Sequence, residues 1–390
     1  MDVFFVEASQ NCYQSSDLGT CDTVFYSTQC KECHDSWFLE DCRSCHDCIC
    51  CAGLRQKSYC IGNKQLSKDG YFTEKTKLAL HTRQGVHALS QSLRELSLTS
   101  PHSAIHAELC ENSLGDHLWS AKNCPLCFET RNAEDCSYCT FFLDGKDSMD
   151  VYSWGEMEQC YQIVGGGSYG TYRCAFTANS YGNKESYYID HCMFCEHCFA
   201  CVGLNRKSYC ILNVQHTPGE YNALLRQIIA DMKARNEWGE FFPPSLSPFG
   251  YNHSVAIDYY PLTKEEAVTS GFEWNDYQSP APQISRVLDA KSLPSTPERW
   301  DEIAESTIRC DATGKLFKLT KAEIEFYKLF NLPPPIIHPD ERQKRRLQSR
   351  NARMIWDREC DSCRTTVSTT YSPNQKEKVM CRECYERALY

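Results

Sequence analysis

Two pairs of cysteines near the end of the chain, Cys360 with Cys363 and Cys381 with Cys384, carry the strongest chemical signal in the sequence. Each pair is a C-x2-C knuckle, and seventeen residues separate the two. Four thiolates so placed close a tetrahedral zinc site, and TTVSTTY, an SPN turn and KVM supply a hairpin between them. With every coordination position filled by protein there is no open place for water. Such a zinc contributes folding energy and not catalysis, so one structural zinc is expected.

A helix predicted over Pro339 to Trp356 leads into this module and carries Arg342, Lys344, Arg345, Arg346, Arg350 and Arg353. The chain as a whole is acidic, with 51 Asp and Glu against 41 Lys and Arg. A basic helix beside a zinc ribbon is therefore a local footprint for nucleic acid or a protein partner. The alternative is a solvated helix face pairing with nearby acids.

The chain contains 27 cysteines, and all but the four above and Cys310 lie in the first 210 residues. Cys42, Cys45, Cys48, Cys51 and Cys60 recur 150 residues later as Cys192, Cys195, Cys198, Cys201 and Cys210, which marks an internal repeat. A shorter recurrence of twelve residues runs inside each block: QCKEC at 29–33 returns as DCRSC at 41–45, and NCPLC at 123–127 as DCSYC at 135–139. Short repeats with small inward residues suit a β-solenoid, each rung stacked on the last. Three chemistries compete for these thiols. They can pack as small hydrophobes, bind zinc or copper in pairs, or act in redox exchange. An iron–sulfur run requires a three-residue final gap followed by proline, whereas here the gap is two and Ala52 or Val202 follows. A redox C-x2-C requires an exposed thiol at a helix start, and these cysteines sit in a strand-like context.

The elements that must position these residues follow from pattern. The expected fold is mainly β with helical insertions: cysteine-rich, β-solenoid-like repeats plus a small C-terminal zinc ribbon. The predicted boundaries are repeat unit 1 at 1–66, a helical insertion at 67–109, repeat unit 2 at 110–216, a capping helix and aromatic, proline-rich arm at 217–277, a linker at 278–300, and the ribbon module with its basic helix at 301–390. Within the insertion a helix is read over 71–97 with Gly85 interrupting it, and His102, His106 and Cys110 would share a face if that segment were helical. Gly165, Gly166 and Gly167 lack the lysine of a phosphate loop and read as a turn. Thr217 with Glu220, and Thr263 with Glu266, read as capping boxes.

No run approaches the roughly twenty apolar residues of a membrane span, and MDVFFVEASQNC has neither the charged nor the long apolar part of a secretion signal. A reducing cytoplasm is the expected compartment. No nucleophile, base and orienting partner stand together, so no catalytic residue is assigned. The reading is a non-catalytic, zinc-binding scaffold or interaction protein. The alternative is a metal-handling or thiol-redox protein that uses the repeat cysteines.

VGLNRKSYCILN at 202–213, NEWGEFFPPSLSPFGYNHSVA at 236–256, YYPLTKEEA at 259–267, EIEFYKLFNLPPP at 323–335 and RNARMIWDREC at 350–360 resemble an uncharacterised family of candidate-phyla bacterial proteins, some labelled CaiB/BaiF-type CoA-transferases. The residues do not support that label: there is no α/β alternation and no isolated nucleophilic carboxylate. The resemblance implies a further zinc-ribbon-like module at the start of family members, where this chain opens directly in its repeats. It also implies a second metal site whose positions here are Cys310, Thr313, His338 and Glu341. Cys310 and His338 are the two good ligands among them.

Overall fold

The computed structural model describes every residue except 153, 168, 169, 278–285, 297 and 390. Strands dominate, with helices inserted between and after two large sheets. One sheet has eight strands, from Val3–Glu7 to Lys64–Gln65, and the other eleven, from Ala107–Glu108 to Val214–Gln215.

The sheets follow from one backbone habit. Most neighbouring strands are parallel and displaced by twelve residues, as in Val3↔Ser15, His34↔His46 and Cys48↔Cys60, while the second sheet opens on eleven-residue steps such as Ala107↔Leu118, with a register shift at Leu114/Gly115. A second track of isolated parallel bridges keeps the same interval, as in Lys31↔Arg43↔Arg55 and Lys122↔Glu134↔Lys146↔Glu158. The chain thus returns beside itself every twelve residues. From Asp2 to Cys50 every third residue has a positive φ, between 46° and 57°. That conformation costs an L-residue about 1–2 kcal/mol and is least costly for Asn and Asp, which occupy several of these corners, among them Asn11, Asp17, Asp35 and Asp41. Four corners make one turn.

The residue after each corner points inward. Leu18, Cys21, Val24, Ser27, Cys30, Cys33, Ser36, Leu39, Cys42, Cys45, Cys48 and Cys51 are all buried. The space is narrow, and the inward amide of each turn needs a partner. Small side chains that both accept and donate provide it. Ser27 N–H donates to Ser15 Oγ at 3.1 Å, Cys48 N–H to Ser36 Oγ at 3.1 Å and Cys33 N–H to Cys21 Sγ at 3.5 Å, in each case across twelve residues. The same side chains donate to carbonyls: Ser36 Oγ to His34 O at 2.7 Å, and Cys33 Sγ to Cys42 O at 3.4 Å. Cysteine and serine are therefore interchangeable inward residues. Cys50, outside the threefold spacing, sits on a corner and packs outward against the helical insertion.

The turn after Tyr161 is longer. Tyr161 pairs with Ala175, fourteen residues on, and Gly165–Gly167 lie in that excess. A Cβ on Gly166 would fall 2.5 Å from Ser180 O, so the close approach of two turns requires glycine there.

Each stack ends in an antiparallel hairpin followed by a helix: α1 (Lys68–Lys77) after the first and α3 (Pro218–Ala234) after the second. The repeat reaches into them, since Tyr71 and Tyr221 are matched and both fully buried. Both predicted capping boxes are present, at Thr217 on α3 and at Thr263 on the short helix Lys264–Thr269. The stretch read as one helix over 71–97 is two, α1 and α2 (Arg83–Thr99). Gly85 lies in the first turn of α2, where its N–H bonds the capping Thr82 hydroxyl and a Cβ would lie 2.3 Å from Ala79 O. His102 and His106 are not on a helix; His102 lies in strand Pro101–Ser103.

The arm packs Trp238 against Tyr187, Tyr188 and Phe176 of the second stack. Of the segment read as a linker, 278–285 lie outside the described residues. Val287–Asp289 form a strand beside Thr307–Arg309, and Ala290, Leu293 and Trp300 are buried in the core that joins the first stack to the tail. The tail carries two antiparallel strand pairs and the helices Pro339–Gln348 and Arg382–Leu389, here the tail helices.

Candidate metal centre

Cys360 ends strand Trp356–Glu359, and a tight turn follows. Cys360 N–H donates to Thr365 O at 2.8 Å, and Arg364, at φ 66°, donates its N–H back to Cys360 O at 2.9 Å. The turn aims Cys363 toward the second knuckle. Cys381 lies just after strand Lys378–Met380 and donates its N–H to Cys360 Sγ at 3.3 Å. Cys384 comes from the first turn of the second tail helix. All four sulfurs lie within 4.8 Å of one another, and Cys363 Sγ is 3.7 Å from Cys381 Sγ. Two thiolates on one tetrahedral ion with bonds of about 2.3 Å stand about 3.8 Å apart. The set can hold a metal ion.

Its electrostatics are divided: Cys360 and Cys363 are lowered, while Cys381, despite the Cys384 N–H, is pushed up to about 12 by burial and the neighbouring thiols. Burial works to raise the Cys360 thiol, but the N–H groups of Cys363, Cys381 and Ser362 outweigh it and hold the group at about 6. The Thr365 hydroxyl lowers Cys363. Cys360 and Cys384 are buried while Cys363 is exposed, so the centre meets solvent on one side.

The metal turn is fastened to the first stack. The hairpin expected between the knuckles does not form: Thr366–Thr369 pairs with Trp356–Glu359, and strand Lys378–Met380 pairs in parallel with Pro101–Ser103, just after α2. One residue after Cys384, Tyr385 donates its hydroxyl to Asp41 and accepts from Arg55 Nη2 at 2.7 Å. Arg55 in turn pairs with Asp41 at 3.0 Å.

The basic residues divide by direction. Arg342 reaches Asp2 and the Tyr327 hydroxyl, and Arg346 reaches Gln14 and Asp2. Arg350 makes two bonds of 3.0 Å to Asp17 of the first stack and one of 2.9 Å to Glu129 of the second. Arg353 joins Glu129 at 3.1 Å and lies 3.6 Å from the centre of the Tyr259 ring. Each of these four side chains is under one-tenth exposed. Only Lys344 and Arg345 of the six face solvent, and Arg345 pairs with Glu341 at 3.1 Å. The helix expected over Pro339 to Trp356 ends at Gln348, so Arg350 and Arg353 lie in the segment beyond it; on the helix itself Arg342 and Arg346 are the inward residues.

Cys310 and His338 also meet, through the backbone. His338 N–H donates to Cys310 Sγ at 3.2 Å, while His338 Nδ1 accepts from Asp340 N at 3.1 Å and caps the first tail helix.

A further group, His106 with Asp116 and His117, places ligand atoms within 4.8 Å of each other. Its imidazoles stack, 5.1 Å between centres and 14° between planes. Parallel rings aim their in-plane lone pairs side by side and not at one point. Asp116 is already occupied: it accepts from His106 N at 2.6 Å, His117 N at 3.1 Å and the Thr370 hydroxyl at 2.9 Å, and lies 2.9 Å from His106 Nδ1. Burial alone would lower His106, but Asp116 raises it, and burial lowers His117. The group is a polar joint between stack and tail. Sequence reading named His106 but not its partners, because no motif spacing links them.

Among the described residues, the repeat cysteines form no group of three or more with converging ligand atoms. The stack thiols are shifted in both directions: burial pushes Cys160 up to about 11 and Cys174 up to about 12, whereas the neighbouring Cys198 thiol brings Cys201 down to about 7 and the Cys127 and Cys136 thiols bring Cys124 down to about 3.

No protein-family model and no curated protein matches this chain. Among the described residues, no helix is long and apolar enough to cross a membrane.

Proposed function

We propose that this chain is a non-catalytic scaffold, in which two cysteine-rich β-solenoids stand side by side and a tail ribbon holding one zinc ion clasps them together. The observation that carries this reading is the division of the cysteines. Inward thiols of the stacks bond the backbone of neighbouring turns, whereas four tail thiols converge. Tetrahedral all-sulfur ligation favours zinc, and with no open position it supports folding.

In this reading the tail arginines clasp carboxylates of the two stacks and leave little positive charge for phosphate. The family resemblance adds no activity to it. Zinc content and free-thiol counting on anaerobically purified protein test the scaffold reading. One zinc per chain with the repeat thiols free is expected; several metals per chain would support the metal-handling alternative. A nucleic-acid role would instead show as salt-dependent oligonucleotide binding weakened by Lys344→Ala and Arg345→Ala.

A further inference from the structure

The turn that carries Cys360 has a counterpart fifty residues earlier. Cys310 N–H donates to Lys315 O at 2.8 Å, as Cys360 does to Thr365 O at 2.8 Å. Gly314 N–H returns to Cys310 O at 3.0 Å, as Arg364 does to Cys360 O at 2.9 Å, and both residues have positive φ, 69° and 66°. Asp311 N–H donates to Ile336 O at 3.0 Å, and Asp361 to Val379 O at 2.8 Å. His338 N–H donates to Cys310 Sγ at 3.2 Å, and Cys381 to Cys360 Sγ at 3.3 Å. The antiparallel strands before and after each turn share a register: Ile308↔Phe317 and Arg309↔Leu316 match Arg358↔Val367 and Glu359↔Thr366. A helix begins one residue after His338 and one after Cys381.

We propose that residues 307–348 and 357–389 are two copies of one metal-ribbon fold, and that hydrogen bonds hold the first copy where a metal holds the second. The frame assigns four ligand positions in the first copy, Cys310, Thr313, His338 and Glu341, against Cys360, Cys363, Cys381 and Cys384. Two of the four have other duties: the His338 ring caps its helix and Glu341 turns out to Arg345.

The copies also share a task. Arg342 and Tyr385 stand at the same place in their helices, four residues after His338 and Cys381, and each reaches a corner aspartate of the first stack, Asp2 or Asp41. The tail therefore grips that stack twice with one duplicated element, and only one grip takes a soft divalent cation.

The first copy should regain a zinc site when its ligand positions are filled. Zinc per chain, measured by elemental analysis on the full chain, should be one in the unaltered protein and in Cys310→Ser. It should be two in the triple variant Thr313→Cys, His338→Cys, Glu341→Cys, with cobalt substitution doubling the thiolate-to-metal absorbance. Should the triple variant not fold, the double variant Thr313→Cys, His338→Cys, which keeps Cys310 and Glu341 as ligands, should also hold two. One zinc in a folded variant overturns the shared frame, and two in the unaltered chain falling to one in Cys310→Ser overturns the metal-free first copy. The inference rests on the metal reading of the Cys360 set, but the two fail differently: no zinc in the unaltered chain sinks that reading.

Discussion

The same spacing, C-x2-C, does opposite work in the stacks and in the tail. In the stacks a corner falls between successive cysteines, so Cys42, Cys45 and Cys48 lie on successive sides of the coil and each sulfur bonds backbone. In the tail, the reversal at Arg364 and a helix start bring four sulfurs to one point. Sequence spacing fixes the distance between thiols along the chain; the path of the backbone decides whether they meet.

Metal removal should separate the two regions most strongly. A chelator, or Cys360→Ser, should unfold the tail ribbon, because structural zinc contributes about 10 kcal/mol or more to small zinc folds. The stacks should keep their strand signal in far-ultraviolet circular dichroism. Loss of both together would show that the stacks depend on the clasp.

The clasp itself can be loosened without touching the four tail cysteines. Arg350→Met leaves Asp17 buried without its arginine and Glu129 with Arg353 alone, and should cost about 3–5 kcal/mol in urea unfolding, whereas Lys344→Met should fall within about 0.5 kcal/mol of the unaltered chain. Equal effects would remove the distinction between inward and outward cations.

Alkaline titration sharpens the contrast between thiols. Cys160 and Cys174 are raised by burial from 9.0 to about 11 and about 12. The folded state thus holds these protons more tightly than the unfolded state does. Their contribution is fully present below pH 9 and is lost as pH rises through 11 to 12, about 2 kcal/mol or more for each thiol. A stability profile flat from pH 8 to 12 would contradict it. At pH 8 an alkylating reagent should react with Cys363 in metal-free protein while these two remain protected.

The smallest effect tests why cysteine recurs. Ser36→Ala orphans the buried Cys48 N–H and should cost about 1–3 kcal/mol, while Ser36→Cys should stay below about 1 kcal/mol. If alanine were as good as cysteine, filling space would suffice.

Much of this architecture is legible in the sequence, and the reason is local. The twelve-residue recurrence and the tail knuckles arise from contacts close along the chain or repeated along it. The arginines could not be placed that way: the partners of Arg342, Arg346, Arg350 and Arg353 are Asp2, Gln14, Asp17 and Glu129, more than two hundred residues distant. A basic helix looks the same in sequence whether its charges meet water or buried carboxylates. His102 and His106 do not share a helical face, because α2 ends at Thr99, where Ser100 and Pro101 turn the chain into a strand that needs Lys378–Met380 as its neighbour.

The corner at every third residue sets how such a protein can change length. A turn touches only the turns above and below, so height is counted in whole steps of about 4.8 Å. Twelve inserted residues would add a storey and keep every inward side chain facing inward; one or two would rotate all that follow. The fourteen-residue turn closing at Ala175 absorbs its surplus in glycine. The first stack runs over residues 3–65 and the second over 107–215, two settings of one ruler.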